Sequence, residues 1–351
     1  MSLHLRPVQF VDSPIGRDGA VARLAGGMQW FAAYDVIEDG ARRTVPIAAI
    51  DALLADERAA ALHAAITAPR APLVLGARTL RLDQPHIAAI LNVTPDSFSD
   101  GGALADDPQA AAAAAFDQVA KGASFVDLGG ESTRPGAPLV WEGDEIKRIA
   151  PVLERIGGAL PVSIDTRKAA VMEAALARGA AMVNDVSALL WDDRAAGVIA
   201  AAGVPVVLMH SPDPAKGPHG GAGYRDVVIE VFDWLAARIA AAVAAGIDRA
   251  RIIVDPGIGF GKSLADNLAL LNGLAMFHGL GCPIMLGASR KRMIGALSNE
   301  APVADRLGGS VALALKGADA GVQLLRVHDV AETVQALRVW RGMRDAALVG
   351  R

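Results

Sequence analysis

At 351 residues, 52% of them hydrophobic and 21% charged, the chain has material for a sizeable core in one large domain with an extension, or in two domains. A formal charge of −4 argues against a general affinity for nucleic acid or anionic membrane, so an anionic substrate requires a local basic pocket. The single cysteine, Cys282, excludes an internal disulfide and a thiolate zinc cluster and fits a reducing cytoplasm; no signal-peptide layout and no uncharged apolar stretch of about 18 residues is present.

Residues 1–72 read as a small α+β extension. Gln29 to Glu38 predicts a strand, Asp39-Gly40 a tight turn, and Val45 onward a second strand or a helix start. Ile47 to Ile66 follows a helical period, and Pro69 and Pro72 mark its exit. Leu73 to Leu82, with Gly76 in the middle, predicts a hairpin leading into residues 73–351. The extension supplies none of the polar strand ends described below, so a chain beginning near Leu73 is expected to keep the chemistry but to lose solubility or stability if Trp30 and Phe31 cover barrel surface.

From residue 86 onward short apolar runs alternate with helical patterns. Strands are predicted at 86–94, 125–131, 161–166, 182–187, 205–210, 252–258, 283–289 and 323–328. Helical segments lie near 108–121, 143–157, 168–178, 192–202, 226–245, 264–278, 303–317 and 330–346. The first shows its start plainly: Asp107 can cap it, Pro108 suits its first turn, and the alanines from Ala110 favour helix. Eight strand–helix units over this length predict an α/β fold of the (β/α)8 type, a TIM barrel. An open doubly wound sheet is the alternative, but its dinucleotide fingerprint is missing.

In such a barrel the C-terminal strand ends face one site. Here they carry Asn92 and Thr94; Asp127 and Glu131; Asp165-Thr166-Arg167; Asn184-Asp185; Asp255; Ser289-Arg290-Lys291; and Arg326-Val327-His328-Asp329. Any one of these could be a rim or capping residue, but so many at strand ends point to a site. Asp165, Asn184 and Asp255 offer the acceptors and amide that read a fused nitrogen heterocycle with an amino–oxo edge. Lys291, Arg326 and His328 supply positive charge for a phosphate or pyrophosphate near helix N-termini. Asn92 is a neutral oxygen ligand suited to magnesium whose other ligands are water and phosphate.

Other chemistries lack their residues. Gly257 to Ser263 ends in Gly-Lys-Ser, yet a nucleotide phosphate loop needs glycine where Pro256 stands. No His-Glu-x-x-His or Gly-x-Ser-x-Gly occurs, and His210, at the end of the fifth strand, reads equally well as a satisfied buried histidine. Aromatic residues make up only 4% of the chain, too few for a nucleic-acid stacking surface.

The segments Ile90–Gly102, Gly129–Ala137, Val162–Arg167, Val183–Val186, Ile253–Lys262, Leu286–Lys291 and Arg326–Val330 closely resemble the dihydropteroate synthase family. The resemblance spans roughly residues 73–345 and leaves residues 1–72 outside. It implies an enzyme of folate biosynthesis, cytoplasmic, magnesium-dependent and usually a homodimer, that joins 4-aminobenzoate to (7,8-dihydropterin-6-yl)methyl diphosphate. By the same resemblance Asp165, Asn184, Asp255 and Lys291 hold the pterin, Asn92 binds magnesium, and Arg326 and His328 grip the phosphates. Thr133, Arg134 and Pro135 form a loop over the aminobenzoate, beside Phe98, Phe260 and Ser289. Asp165, Lys291, Arg326 and His328 are the residues expected to act in the reaction itself. The chain departs from the family pattern at Met209-His-Ser-Pro-Asp-Pro214, which opens the fifth loop, Ser211–Gly223. A methyltransferase acting on methyltetrahydrofolate and a corrinoid protein has a similar barrel but gives no reason for Ser289-Arg-Lys291 beside Arg326-Val-His328. A non-catalytic pterin-binding barrel would not keep the phosphate-gripping residues.

Overall fold

The computed structural model describes residues 3–94, 107–132, 137–212 and 223–349. Among them the extension forms strands β1 (Leu3–Val11), β2 (Ala22–Arg23), β3 (Trp30–Glu38) and β4 (Ala41–Pro46), then helices α1 (Asp51–Leu54) and α2 (Glu57–Thr67). β3 is central and antiparallel to the other three. Asp39 and Gly40 both adopt positive φ, the geometry of the two-residue turn expected between β3 and β4. The sequence gives no sign of β1, whose Pro7 argues against a strand interior; β1 pairs on one side only, where a proline is tolerated. The single helix expected from Ile47 to Ile66 is broken. A 3-10 turn at Ile47–Ala49 precedes α1, and Asp56 accepts a hydrogen bond from the Ala59 N–H, so its carboxylate caps α2 instead of continuing a helix through it.

The hairpin β5 (Leu73–Leu75) and β6 (Arg78–Leu80) leads into eight parallel strands: β7 (His86–Asn92), β8 (Phe125–Gly129), β9 (Val162–Asp165), β10 (Met182–Asp185), β11 (Val206–Met209), β12 (Ile252–Asp255), β13 (Met285–Leu286) and β14 (Leu324–Val327). Helices α3 (Pro108–Ala120), α4 (Glu142–Ile156), α5 (Ala169–Leu176), α6 (Ala195–Ala202), α7 (Val227–Ala244), α8 (Leu264–Gly273), α9 (Arg292–Leu297), α10 (Leu307–Asp319) and α11 (Val330–Leu348) lie between and after the strands. The sheet runs β12-β11-β10-β9-β8-β7-β14-β13 and closes through one bridge, Val254 to Ile284. The fold is the expected TIM barrel.

Closure is weakest at the seventh strand, which is far shorter than the 283–289 expected. Pro283 has no N–H to give, and the Ile284 N–H donates to the Gln323 side-chain carbonyl at 2.9 Å instead of to a neighbouring strand. The extension packs beside this seam. β1 and α2 contact the 3-10 segment Leu274–Leu280, and residues of both join one continuous hydrophobic core with the barrel helices. Buried Arg70 donates to the His278 carbonyl at 3.0 Å, while the other side of His278 bonds Ala320 through Nε2. A side chain on Gly321 would collide with Leu24 of the extension.

The period-2 pleat sorts the barrel interior into layers. Phe125, Met182, Val207, Ile253, Met285 and Leu324 form a lower apolar layer, closed from below by Leu73, Leu75, Leu80 and Leu82 of the hairpin region. Two residues further along β8, β10, β12 and β14 stand Asp127, Asn184, Asp255 and Arg326. A dry layer therefore sits directly beneath a polar one.

Candidate active site

The polar layer opens into a cavity of about 950 Å³ at the C-terminal end of the strands, lined among others by Asn92, Asp165, Phe260, Ser289, Lys291, Arg326 and His328. Asn184 and Asp255 lie buried in the floor beneath it. Phe98, Thr133, Arg134 and Pro135 lie outside the described residues, as does most of the fifth loop.

The floor is a network built around Asp127, which has no exposed surface. Asp127 Oδ2 accepts from Arg326 Nε at 2.6 Å and from Asn184 Nδ2 at 3.0 Å, while Arg326 Nη2 donates to Asp165 Oδ2 at 2.7 Å. Because the Asn184 amide nitrogen is committed to Asp127, its oxygen is left to accept from a ligand. Asp255 accepts the Gly257 N–H through Oδ1 at 2.7 Å, which leaves Oδ2 as its second acceptor. Asp185, next in sequence to Asn184, faces the other way: its carboxylate accepts from Ser187 and Leu189 and shapes the following turn. Adjacent polar residues on one strand thus have opposite fates.

Burial sets the charges. It pushes the Asp165 carboxyl up to about 7, against the pull of Arg326 and with the repulsion of Asp127. Burial also raises Asp255. Lys291 is lowered to about 8 by burial and by neighbouring Arg326. Burial works against the charge on Arg326, but Asp127 and Asp165 outweigh it and hold the guanidinium cationic. One sequence expectation is corrected here. His328 was expected to bring positive charge, yet burial, with Arg326 and Arg290 beside it, lowers the imidazole to about 3, so near neutral pH it is a neutral hydrogen-bonding group.

The seventh strand presents its residues through a strained turn. Arg290 adopts φ 56°, in the left-handed region, and is held there by its ion pair with Asp329, by a hydrogen bond from its N–H to Ser310 Oγ, and by Arg306 Nη1 on its carbonyl. Both flanking side chains, Ser289 and Lys291, line the cavity. Ser289 Oγ lies 3.1 Å from His328 Nδ1, and the Lys291 ammonium sits 4.1 Å above the Phe260 ring.

Among the described residues no group of three or more His, Cys, Asp or Glu side chains is gathered to hold a metal. The Asn92 carboxamide suits a different arrangement. It lines the cavity, and its Oδ1 lies against Gly129, where an added Cβ would come within 3.0 Å of it. One amide oxygen beside an open cavity fits a magnesium ion that takes its remaining ligands from phosphate and water.

Two residues the strand-end reading leaves without a role belong to the site. Asp127 could have been found from its spacing, two residues after Phe125 on the inward face. Lys262 lines the cavity at the end of the Gly257–Gly261 loop, and the sequence carries no signal of what it touches.

A TIM barrel that gathers buried acceptors and a lysine at its strand ends around an open cavity has the groups to bind a planar heterocycle and an anion. Residues 88–328 match the family described as pterin binding enzyme, and the chain belongs to that family. Within it the chain groups with the dihydropteroate synthases. It is 45% identical over 268 residues to the dihydropteroate synthase of Neisseria meningitidis serogroup B, covering 75% of this chain and 94% of that protein. It resembles the solved dihydropteroate synthase of Xanthomonas albilineans with 4-aminobenzoic acid at 49% identity and a TM-score of 0.72, over 78% of this chain and 98% of that one. A structure of the Xanthomonas enzyme with 7,8-dihydropteroate matches at 46% identity and a TM-score of 0.69, over 78% and 99%.

Proposed function

We propose that this chain joins 4-aminobenzoate to (7,8-dihydropterin-6-yl)methyl diphosphate, giving 7,8-dihydropteroate and pyrophosphate. The observation that carries the reading is the floor. Asp255 Oδ2 and Asn184 Oδ1 remain as acceptors for the N–H groups of an aminopyrimidinone edge, above an apolar layer that excludes water. The product bound in the Xanthomonas relative supports the same substrates here.

The residues then divide the work. Asp255 and Asn184 fix the pterin ring, and Lys291 donates to it from above Phe260. As the C–O bond to pyrophosphate breaks, positive charge spreads from the exocyclic methylene into the ring, where buried Asp165 and Asp127 stabilise it. Neutral His328 and Ser289 are paired through Nδ1 and Oγ, which leaves one donor of the pair for the anionic groups at the cavity mouth, and Arg326 keeps the two carboxylates from repelling one another. The amine of 4-aminobenzoate attacks the methylene, forming the C–N bond, and its surplus proton leaves to pyrophosphate or solvent. Magnesium held by Asn92 would lower the charge on the departing pyrophosphate. No strong base is needed, so the Ser289–His328 pair serves binding and not nucleophilic catalysis.

We further read the protein as a cytoplasmic homodimer. Its one cysteine is free and buried, and exposed Val339 and Met343 stand one turn apart on α11 as an apolar stripe. No helix among the described residues is long and apolar enough to cross a membrane. The test incubates the full chain with both substrates and magnesium and measures pyrophosphate, with a chelator as the second arm. Well-folded protein that releases none overturns the reading, and release that survives chelation overturns the metal. Sedimentation velocity checks the dimer.

A further inference from the structure

Lys262 is a cavity-lining lysine that is not free to meet a ligand. Its ammonium nitrogen lies 2.8 Å from His210 Nδ1, 2.9 Å from the Gly257 carbonyl and 3.1 Å from the Phe260 carbonyl. An ammonium has three donors, and all three are used. Its two carbonyl partners are the start and the tip of the loop after β12, and the third is a side chain at the end of β11. The loop itself has almost no freedom to drift. Gly257, Gly259 and Gly261 all adopt positive φ; a Cβ on Gly257 would fall 2.0 Å from the His210 carbonyl, and one on Gly261 would fall 2.3 Å from Pro212. From the other side Asn267 accepts the Gly259 N–H at 2.6 Å and donates to the Ser263 carbonyl at 2.7 Å.

We propose that Lys262 is a positioning residue that staples this loop to His210, and so sets the Phe260 ring beneath the Lys291 ammonium. The proposal rests on the cavity being the aminobenzoate and pterin site. It has a consequence at His210 that needs no substrate. Nδ1 accepts from an ammonium, so the imidazole is held neutral with its proton on Nε2. Burial and Lys262 together lower His210 to about 2. Around the ring Trp234 lies edge-on at 4.8 Å and Tyr224 at 6.1 Å, and the His210 backbone N–H ties the end of β11 to the Asp255 carbonyl. Burial lowers Lys262 itself to about 7, against the pull of Asp255 and Asp266 and with the repulsion of Lys291, so the three-donor staple is complete below that value.

The test compares the full wild-type chain with Lys262→Met, which keeps the stem and removes the donors. In imidazole ¹⁵N NMR, wild-type His210, assigned with His210→Asn, should show the Nε2–H tautomer below about pH 7, where Lys262 is an ammonium, whereas in Lys262→Met, with no donor on Nδ1, that tautomer preference should be lost. In pyrophosphate-release kinetics, Lys262→Met should raise the KM for 4-aminobenzoate about tenfold and weaken pterin pyrophosphate by less, because Asn184 and Asp255 stay on their strands even where the Gly257 N–H and the Lys291 perch on Phe260 loosen. Lys262→Cys alkylated to aminoethylcysteine, which returns the ammonium, should restore both signals. Two results overturn the proposal: a His210 that behaves alike in both proteins, or equal loss of both substrates. The NMR arm decides the staple even if the wild-type chain released no pyrophosphate, so failure of the staple and failure of the proposed reaction are distinguishable.

Discussion

Arg326 Nε donates to Asp127 Oδ2 at 2.6 Å, from β14 to β8 with β7 between them. The contact crosses the barrel interior over β7, so it forms only when the sheet curls its inward faces together. Its effect is to place a cation among carboxylates that would otherwise repel, while leaving Asp255 Oδ2 and Asn184 Oδ1 as the acceptors of the floor. The same guanidinium donates to Asp165, which makes it less a free phosphate clamp than the centre of the acidic layer.

Asp255→Asn should leave the bond from the Gly257 N–H intact through the amide oxygen and turn the remaining acceptor into a donor. A donor facing ligand N–H groups in a dry floor costs about 1–3 kcal/mol. Affinity for the pterin pyrophosphate should therefore fall about tenfold or more. Calorimetry on the full chain checks this, and unchanged affinity would remove Asp255 from ring recognition.

The Lys291 ammonium, lowered to about 8 by burial and Arg326, gives the alkaline side of the pH profile. Below that value the group is charged and can hold the substrate. Above it, kcat/KM for the pterin pyrophosphate should fall about tenfold per pH unit. Lys291→Arg should flatten this limb, because a guanidinium does not lose its proton there. The linkage to stability runs the other way. Between about 8 and the ordinary lysine value the unfolded chain keeps a proton that the folded chain has shed, so this group favours the fold increasingly as pH rises through that window. Urea titrations of wild type and Lys291→Met across the window check the sign.

Removing residues 1–72 takes away no polar strand end but should not leave a stable barrel. Leu3, Leu5, Phe31, Tyr34 and Ile66 of the extension are buried in the same core as Phe232, Met276, Phe277 and Leu280. They cover the segment just before the barrel's single-bridge seam. Phe31→Ala should cost about 3–5 kcal/mol, as deletions of buried phenylalanine do. Barrel and extension should unfold in one transition, followed by denaturant titration. Two separate transitions would show that the extension stands apart.

Sulfonamides should compete with 4-aminobenzoate. The Phe260 ring and the Ser289 hydroxyl, both on the cavity wall, suit a benzene face and a carboxylate or sulfonyl oxygen. Inhibition should strengthen once the pterin site is filled. Steady-state kinetics with varied 4-aminobenzoate checks this, and a non-competitive pattern would mean the aromatic subsite lies elsewhere.

The sequence by itself determined the barrel and most of its polar ring. Strand and helix periods are local properties, and the pleat carries Asp127, Asn184, Asp255 and Arg326 onto the face already marked by Phe125, Met182, Ile253 and Leu324. Asp185 was not separable from Asn184 by residue type, but its position one step along the same strand turns it outward. Only the tertiary structure decided what each charge meets. Arg326 joins Asp127 and Asp165 because the sheet curls their strands onto one interior, and His328 stays neutral because it is buried there beside two arginines. Lys262, in a Gly-Lys-Ser that reads as a phosphate loop, is spent on His210 and two carbonyls because β11 brings them within reach. The extension gave no chemical signal along the chain, since apolar residues do not name their partner; its place beside the β12–β13 seam exists only in three dimensions, where packing, not pattern, selects the contact.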